Sequence, residues 1–276
     1  MRIVMNKSFV KYSALGNDYI VIDPNISNIQ INSENIISIC DRNNGPGSDG
    51  ILYGPNSSTD LSLRIFNPDG SECEKSGNGI RIFSNYLYDN NYVDNNTFDI
   101  SLPNEKVTVT PVDSSKGLFK VRMGKVKPGH LSNLEYCYPF IGKEVSFNDF
   151  KFTGSFIDIG NPHMVLETTS PSKELANNLG PVISNHKMFL NRANVQFCKV
   201  ISRNEIRIEI FERGAGYTLA SGSSSCAAAA ALYLQNKVDN KVKVLMPGGE
   251  LSIEIDNEDF VHLLGTSKLI YSGEMK

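Results

Sequence analysis

The chain carries one stretch twice. "EKSGNGIRIF" runs from Glu74 to Phe83 and "LASGSSSCAA" from Leu219 to Ala228, each with a Ser-Gly pair at the mouth of a helical pattern. The offset is constant at 145: Phe66 meets Phe211, Ser76-Gly77 meets Ser221-Gly222, and Tyr88 meets Tyr233. "VDN" at Val93 to Asn95 likewise meets "VDN" at Val238 to Asn240. Slightly out of step, "GNDYIVI" from Gly16 has its counterpart in "GNPHMVL" from Gly160. Chance does not hold a register over so many positions, so the chain reads as two copies of one domain of roughly 120 to 140 residues. The first copy is expected over residues 1–126, with 263–276 a candidate to return to it, and the second over 127–262.

Each copy has the same order of elements. "LSLRIF" alternates like a half-buried strand and stops at the turn "NPDGS"; after Ser76-Gly77 comes "IRIFSNYLYDN", with Ile80, Phe83, Leu87 and Tyr88 at helical spacing. "TFDISLPNEKVTVTPV" and "LFKVRMGKV" then resume as strands. The second copy runs "EIRIEIF", turn "ERGAGYTLA", Ser221-Gly222, the Ala-rich "CAAAAALYLQN", and strands to the end. The fold class is therefore α+β: two pseudo-symmetric domains, each a mostly antiparallel sheet or barrel around a central helix too apolar to face water.

Of 276 residues, 40% are hydrophobic, ample for two ordinary cores, and a net charge of −3 offers no basic stripe for nucleic acid. No apolar run approaches the roughly 18 residues of a membrane span, and the first residues lack the plan of a signal peptide. Cys40, Cys73, Cys137, Cys198 and Cys226 are scattered without a C-x-x-C pair, which argues against a disulfide framework or a structural zinc site. A soluble cytoplasmic protein is expected. "GNGIR" lacks the lysine of a phosphate-binding loop, and no dinucleotide fingerprint follows a strand.

A glycine-rich turn opening a helix leaves backbone N–H groups unpaired at the positive end of the helix dipole, which suits a carboxylate or phosphate. Serine is also simply a good N-cap and glycine eases a tight turn, so either motif alone is ambiguous. Both at equivalent positions of a duplicated chain point to one small anion held in an interdomain cleft.

At this point the sequence resembles a known family, the diaminopimelate epimerases, two-domain amino-acid racemases that use no cofactor. The resemblance covers nearly the whole chain through "ALGNDYIVID", "DRNNGPGSDGIL", "RIFNPDGSECEKSGNGIR", "GNPHMV", "NRANVQF" and "ERGAGYTLASGSSSCAAAAA". It implies a free amino-acid substrate, LL- or meso-diaminopimelate in lysine and cell-wall biosynthesis, and 1,1-proton transfer at Cα without pyridoxal phosphate, metal or nucleotide. It also leaves room for a homodimer. In that family a cysteine precedes each of the two glycines, one removing the α-proton and the other delivering a proton to the opposite face. Here both positions are serine, Ser76 and Ser221.

The departure matters chemically. A cysteine at a helix N-terminus ionises near neutrality, whereas a serine hydroxyl needs a neighbouring base. Catalysis by this form is expected to be strongly impaired, while binding survives because serine is nearly isosteric with cysteine. Three readings stay open: cysteines replaced to trap substrate, a natural relative that binds or eliminates instead, or serines competent for a different reaction.

The resemblance also implies the supporting residues. His163 and Glu212 stand where the family has the helpers of its catalytic pair. Backbone N–H groups of Gly77, Asn78, Gly222 and Ser223 would hold the reacting α-carboxylate. Asn17, Asn67, Asn161, Asn194 and Arg213 fall on the positions that hold the second head group, which suits arginine's paired donors and the asparagine amides. Asp49, Arg64 and Arg81 read equally well as salt-bridge partners. Lys75, Met164 and Tyr217 depart from the family pattern, and the last two leave room for a shifted substrate, such as histidine on the same scaffold. A non-catalytic amino-acid-binding protein and a cofactor-free dehydratase or double-bond isomerase are the readings from other classes.

Overall fold

A computed structural model of the chain describes residues 7–129, 131 and 138–275. Backbone contacts divide it into two compact units: one runs to Val121 and takes back Gly265–Lys276, the other spans Arg122–Leu264.

In the first unit a six-stranded sheet has the order Lys268–Glu274, Ser8–Ala14, Asn17–Ile22, Ile51–Tyr53, Arg64–Phe66, Glu72–Cys73. All pairs are antiparallel except Asn17–Ile22 with Ile51–Tyr53. A meander of Phe98–Ser101, Lys106–Asp113 and the start of Leu118–Lys125 adds a second antiparallel layer. Helix α1 (Ser33–Cys40) is capped by Asn32 and closes one core with Ile20, Ile22 and Phe66. Helix α2 (Gly77–Asp89) is buried at every position from Gly77 to Leu87. Two of its buried polar side chains find backbone acceptors: Ser84 Oγ donates to Ile80 O at 2.7 Å, and Asn85 Nδ2 to Ser267 O at 3.2 Å. Ser267 Oγ donates in turn to Arg81 O at 3.2 Å, so the returning C-terminal segment is tied to this helix.

The second unit repeats the plan. Its strands run in the order Lys143–Phe147, Phe150–Asp158, Pro162–Glu167, Asn194–Ser202, Glu205–Glu212, Lys241–Met246, Gly249–Ile255, Phe260–Thr266. Two pairs are parallel, Pro162–Glu167 with Asn194–Ser202 and Glu205–Glu212 with Lys241–Met246. Helix α3 (Lys173–Ser184), capped by Ser172, covers a core of Phe147, Phe152, Met164, Phe197 and their neighbours. It passes so close to the sheet that a Cβ on Gly180 would lie 2.4 Å from Phe211 Cγ. Helix α4 (Gly222–Leu234) matches α2 in length, and Cys226–Leu232 have no exposed surface. A stripe of alanines lets the strands approach it closely on all sides.

Candidate active site

The two helix starts are built alike. Ser76 and Ser221 are the N-caps of α2 and α4, both in extended backbone geometry. Ser76 Oγ accepts from Gly79 N–H at 3.1 Å, and Ser221 Oγ from Ser224 N–H at 3.4 Å. Ile80 N–H and Ser225 N–H open the intrahelical ladders by donating to the carbonyls of Ser76 and Ser221. Cap and ladder thereby use the third and fourth N–H groups of each helix. Neither helix supplies a partner for the first two, those of Gly77 and Asn78 in α2 and of Gly222 and Ser223 in α4. Each helix start thus offers a dipole, two N–H donors and one hydroxyl.

In the first unit a polar chain runs away from α2. Asn78 is buried, with Nδ2 donating to Asn17 Oδ1 at 3.2 Å. Asn17 Nδ2 donates to Asp49 at 2.8 Å, and Arg42 pairs with Asp49 and Asp18 at 2.6 and 2.7 Å. Burial works against a charge on Asp18, but Arg42 and Lys11 outweigh it and hold the carboxyl down to about 2. Arg81 has no exposed surface and donates to Asn78 Oδ1 at 2.8 Å and to Gly77 O at 3.1 Å. Both amide ends of Asn78 are therefore fixed. Tyr19 Oη lies 3.2 Å from Ser76 Oγ.

In the second unit the serine is flanked by an acid and an imidazole network. Burial lifts the Glu212 carboxyl above its ordinary value, and the Ser221 hydroxyl hydrogen-bonded to it draws it part of the way back. His163 is fully buried, with Nε2 2.8 Å from Asn161 Oδ1 and Nδ1 3.1 Å from Gln196 Nε2. Because the Gln196 amide donates to Nδ1, the imidazole proton sits on Nε2 and donates to Asn161. Gln196 Nε2 also donates to Ser224 Oγ at 3.0 Å, which links the histidine to the first turn of α4. Burial pushes the His163 pKa down to about 3; the Gln196 contact opposes this and the charge of Arg213 adds to it. Asn194 Oδ1 accepts from Arg213 N–H at 3.0 Å, while the guanidinium donates to Asn191 O at 3.1 Å. Ser223 Oγ stands 3.4 Å from Ser221 Oγ.

The structure thus gathers Asn17, Gly77 and Asn78 around Ser76, and Asn161, His163, Asn194, Glu212, Arg213, Gly222 and Ser223 on the second unit with Ser221. Asn67 is different: its Nδ2 donates to Ser71 Oγ at 2.9 Å within its own turn. Arg64 pairs with Glu72, and Lys75 with Glu105, both on the surface. Met164 packs in the core with Leu166, and Tyr217 lies against the same core with its hydroxyl on Glu209 at 2.8 Å. Strand alternation turns Met164 to the face opposite His163, so proximity in sequence is not proximity to the imidazole. His186 and His262 have local partners, the Met188 N–H and Asp256; His130 falls outside the described residues. Sequence reasoning passed over Tyr19 and Gln196, and left Asp49 and Arg81 as salt-bridge partners. The signal for Gln196 was an amide set between two apolar residues, Val195 and Phe197.

The scaffold is a duplicated α+β fold with a capped, donor-rich helix start in each copy, one of them flanked by a carboxylic acid. Comparison with known proteins gives the particular family. The model of the diaminopimelate epimerase family matches residues 9–128 and 155–270. The chain is 45% identical to diaminopimelate epimerase 2 of a Nostoc species, over 97% of this chain and 95% of that one. It is 33% identical to a diaminopimelate epimerase of Methanococcus maripaludis, over 97% and 99% of the two chains. Among solved structures, a phenazine biosynthesis protein of Bacillus anthracis superposes with a TM-score of 0.68 at 15% identity, covering 99% of this chain and 100% of that one. A hydroxyproline epimerase of Agrobacterium vitis gives 0.65 at 10% identity, over 100% and 94%; at such identities these two speak for the fold alone. The chain belongs to the diaminopimelate epimerase family.

Proposed function

We propose that this protein acts on diaminopimelate, taking LL- and meso-isomers as its ligands by inversion at one α-carbon, with Ser76 and Ser221 in the two acid–base positions. The observation that carries the reading is the 45% identity to diaminopimelate epimerase 2 along 97% of the chain, together with a matched pair of helix starts. In this reading the first two N–H groups of each helix, those of Gly77 and Asn78 and of Gly222 and Ser223, hold the α-carboxylate at the reacting centre. One acid–base group takes the α-proton, leaving the electron pair on Cα, and the other returns a proton to the opposite face. The carboxylate's growing negative charge is met by N–H dipoles already in place. Glu212, hydrogen-bonded to Ser221, is the base that assists that hydroxyl. His163, neutral and donating through Nε2, orients Asn161. Arg213, Asn194 and Asn161 hold the far ammonium-carboxylate group, with Asn17 and Asn67 as further amide contacts. As written, with serine at both positions, the protein binds substrate and turns it over at a negligible rate.

Calorimetric titration of LL- and meso-diaminopimelate, L-histidine and L-lysine tests this. Diaminopimelate should bind tightest and should lose most on Arg213→Ala, roughly 2–5 kcal/mol for a carboxylate left without its charged partner, or on the order of 30-fold or more in affinity. Histidine binding with no response to diaminopimelate would sink the substrate assignment while leaving the family untouched.

A further inference from the structure

Position 76 has a partner that neither the helix nor the sheet requires. Tyr19 is buried on the strand Asn17–Ile22, and its hydroxyl stands 3.2 Å from Ser76 Oγ. The ring is seated against Gly50, where an added Cβ would fall 2.7 Å from Tyr19 Cε1 and 2.5 Å from Phe66 O. Gly50 is itself anchored, its carbonyl accepting from Ser48 Oγ at 2.9 Å and from Ile20 N–H at 3.1 Å. The phenol is therefore carried by a ring that lies against an anchored stretch of backbone. Ser76 Oγ already accepts from Gly79 N–H at 3.1 Å. Either hydroxyl of the Tyr19–Ser76 pair could be the donor; donation by Tyr19 would complete the acceptor capacity of Ser76 Oγ and send the serine's own proton outward.

We propose that Tyr19 is the hydrogen-bond donor that stabilises the deprotonated form of the acid–base group at position 76. The inference rests on Ser76 being an acid–base position, as read above. When that group protonates the α-carbanion, its O–H bond (S–H, were it a cysteine) breaks and the new C–H bond forms. The negative charge left on the heteroatom then faces two donors, Tyr19 O–H and Gly79 N–H. Tyr19 keeps its own proton throughout, so it is a positioning residue and no proton relay is involved. The duplication sets Tyr19 of "GNDY" opposite His163 of "GNPH". The second unit reaches its serine through the acid Glu212, and the first does so through a phenol.

The test needs no substrate. Ser76→Cys converts the position into a thiol whose ionisation is read by the pH dependence of iodoacetamide alkylation, followed at that peptide by mass spectrometry. Tyr19→Phe leaves the ring against Gly50 and removes only the hydroxyl. The apparent pKa of the thiol should rise by about one unit, a roughly tenfold smaller thiolate fraction at neutral pH. Nearby charges are common to both proteins: Lys75 paired with Glu105, Arg81 on Gly77 O, Asp49 on Asn17, and Glu74. The difference therefore reports the hydroxyl. Superimposable profiles would overturn the proposal. Should Tyr19→Phe fold poorly, the same coupling is read with Tyr19 intact: its ring-carbon NMR signal should shift as the thiol titrates, and a signal indifferent to that titration also overturns it. Failure of diaminopimelate to bind would count against the substrate reading and leave this titration interpretable.

Discussion

His163 should make this protein lose stability in mild acid. Its ring has no exposed surface and is bonded at both nitrogens. Burial, reinforced by the charge of Arg213 and opposed by Gln196, takes its pKa from 6.5 down to about 3. Between those two values the unfolded chain carries a proton on this residue and the folded chain does not. The unfolded state then binds more protons, so the free energy of unfolding rises with pH across the window and falls as pH drops from 6.5 towards 3. The slope is about 1.4 kcal/mol per pH unit once well below the upper value, which amounts to about 2 kcal/mol lost at pH 5 relative to neutrality.

Other groups act in or near that window and must be separated. Glu212, raised by burial, has the opposite sign, favouring the fold as pH falls towards its ordinary value. His186, lowered by partial burial, has the same sign as His163. Asp18 and Asp256, both held near 2, lose their contribution only below their ordinary value of 3.8. Urea unfolding at pH 7 and pH 5, followed by amide exchange in the strand Pro162–Glu167, should therefore be compared with His163→Asn. The unsubstituted protein should drop by about 2 kcal/mol more than the variant. Equal drops would mean that His163 is protonated inside the fold, and the neutral Nε2–H tautomer assigned to it would be wrong.

Gln196→Leu should leave His163 Nδ1 and Ser224 Oγ without their donor, destabilising the second unit by roughly 2–4 kcal/mol in urea unfolding; a loss below about 0.5 kcal/mol would show that water replaces the amide. Gly180→Ala should push its methyl into Phe211, 2.4 Å away, at a penalty of about 1–3 kcal/mol in thermal unfolding, and a neutral result would mean that α3 can slide. Ser76→Cys with Ser221→Cys should exchange the α-hydrogen of diaminopimelate with deuterated solvent readily, whereas each single variant should invert poorly, since inversion needs an acid on one face and a base on the other; ready racemisation by the serine form would refute the roles given to both positions.

The duplication and the two long helices were legible because their signals are local. A Ser-Gly cap followed by an apolar stretch marks Gly77 and Gly222 as helix starts, and both helices run for 13 residues from there. Helices α1 and α3 were not legible. The first is only 8 residues long, and the second contains Gly180-Pro181, which reads as a break. That glycine is set by a neighbour more than 30 positions away, Phe211, for which no local pattern exists. Site residues divide the same way. Ser221, Gly222 and Ser223 lie in one turn and were read together. Arg81 reaches Asn78 one turn earlier on its own helix, but its burial depends on the surrounding sheet. Gln196 meets His163 and Ser224 only because a parallel strand pair brings His163 opposite Asn194. Met164 shows the converse: adjacent to His163 in sequence, it turns into the core.

The two serines separate functions that a cysteine would combine. At each helix start the side-chain oxygen caps the third N–H, and the helix itself supplies no partner for the first two, which the proposed function assigns to the substrate carboxylate. Hydroxyl oxygen is a stronger acceptor than thiol sulfur, so serine holds the cap at least as well and keeps the anion-binding donors in place. What it gives up is an ionisable group near neutrality. A helix dipole cannot restore that group by itself, because its effect of about 2 kcal/mol at most corresponds to only one or two pKa units. The neighbours carry whatever proton chemistry is left: Glu212 at Ser221 and Tyr19 at Ser76. They differ in kind, since a carboxylate can accept a proton, whereas a phenol at neutral pH can donate a hydrogen bond to an oxygen but takes up no proton. Under the proposed function the pseudo-symmetric scaffold is chemically asymmetric, with Ser221 the better-placed base and Ser76 the better-placed acid, so the slow residual exchange of the serine form should remove an α-proton from one face in preference to the other.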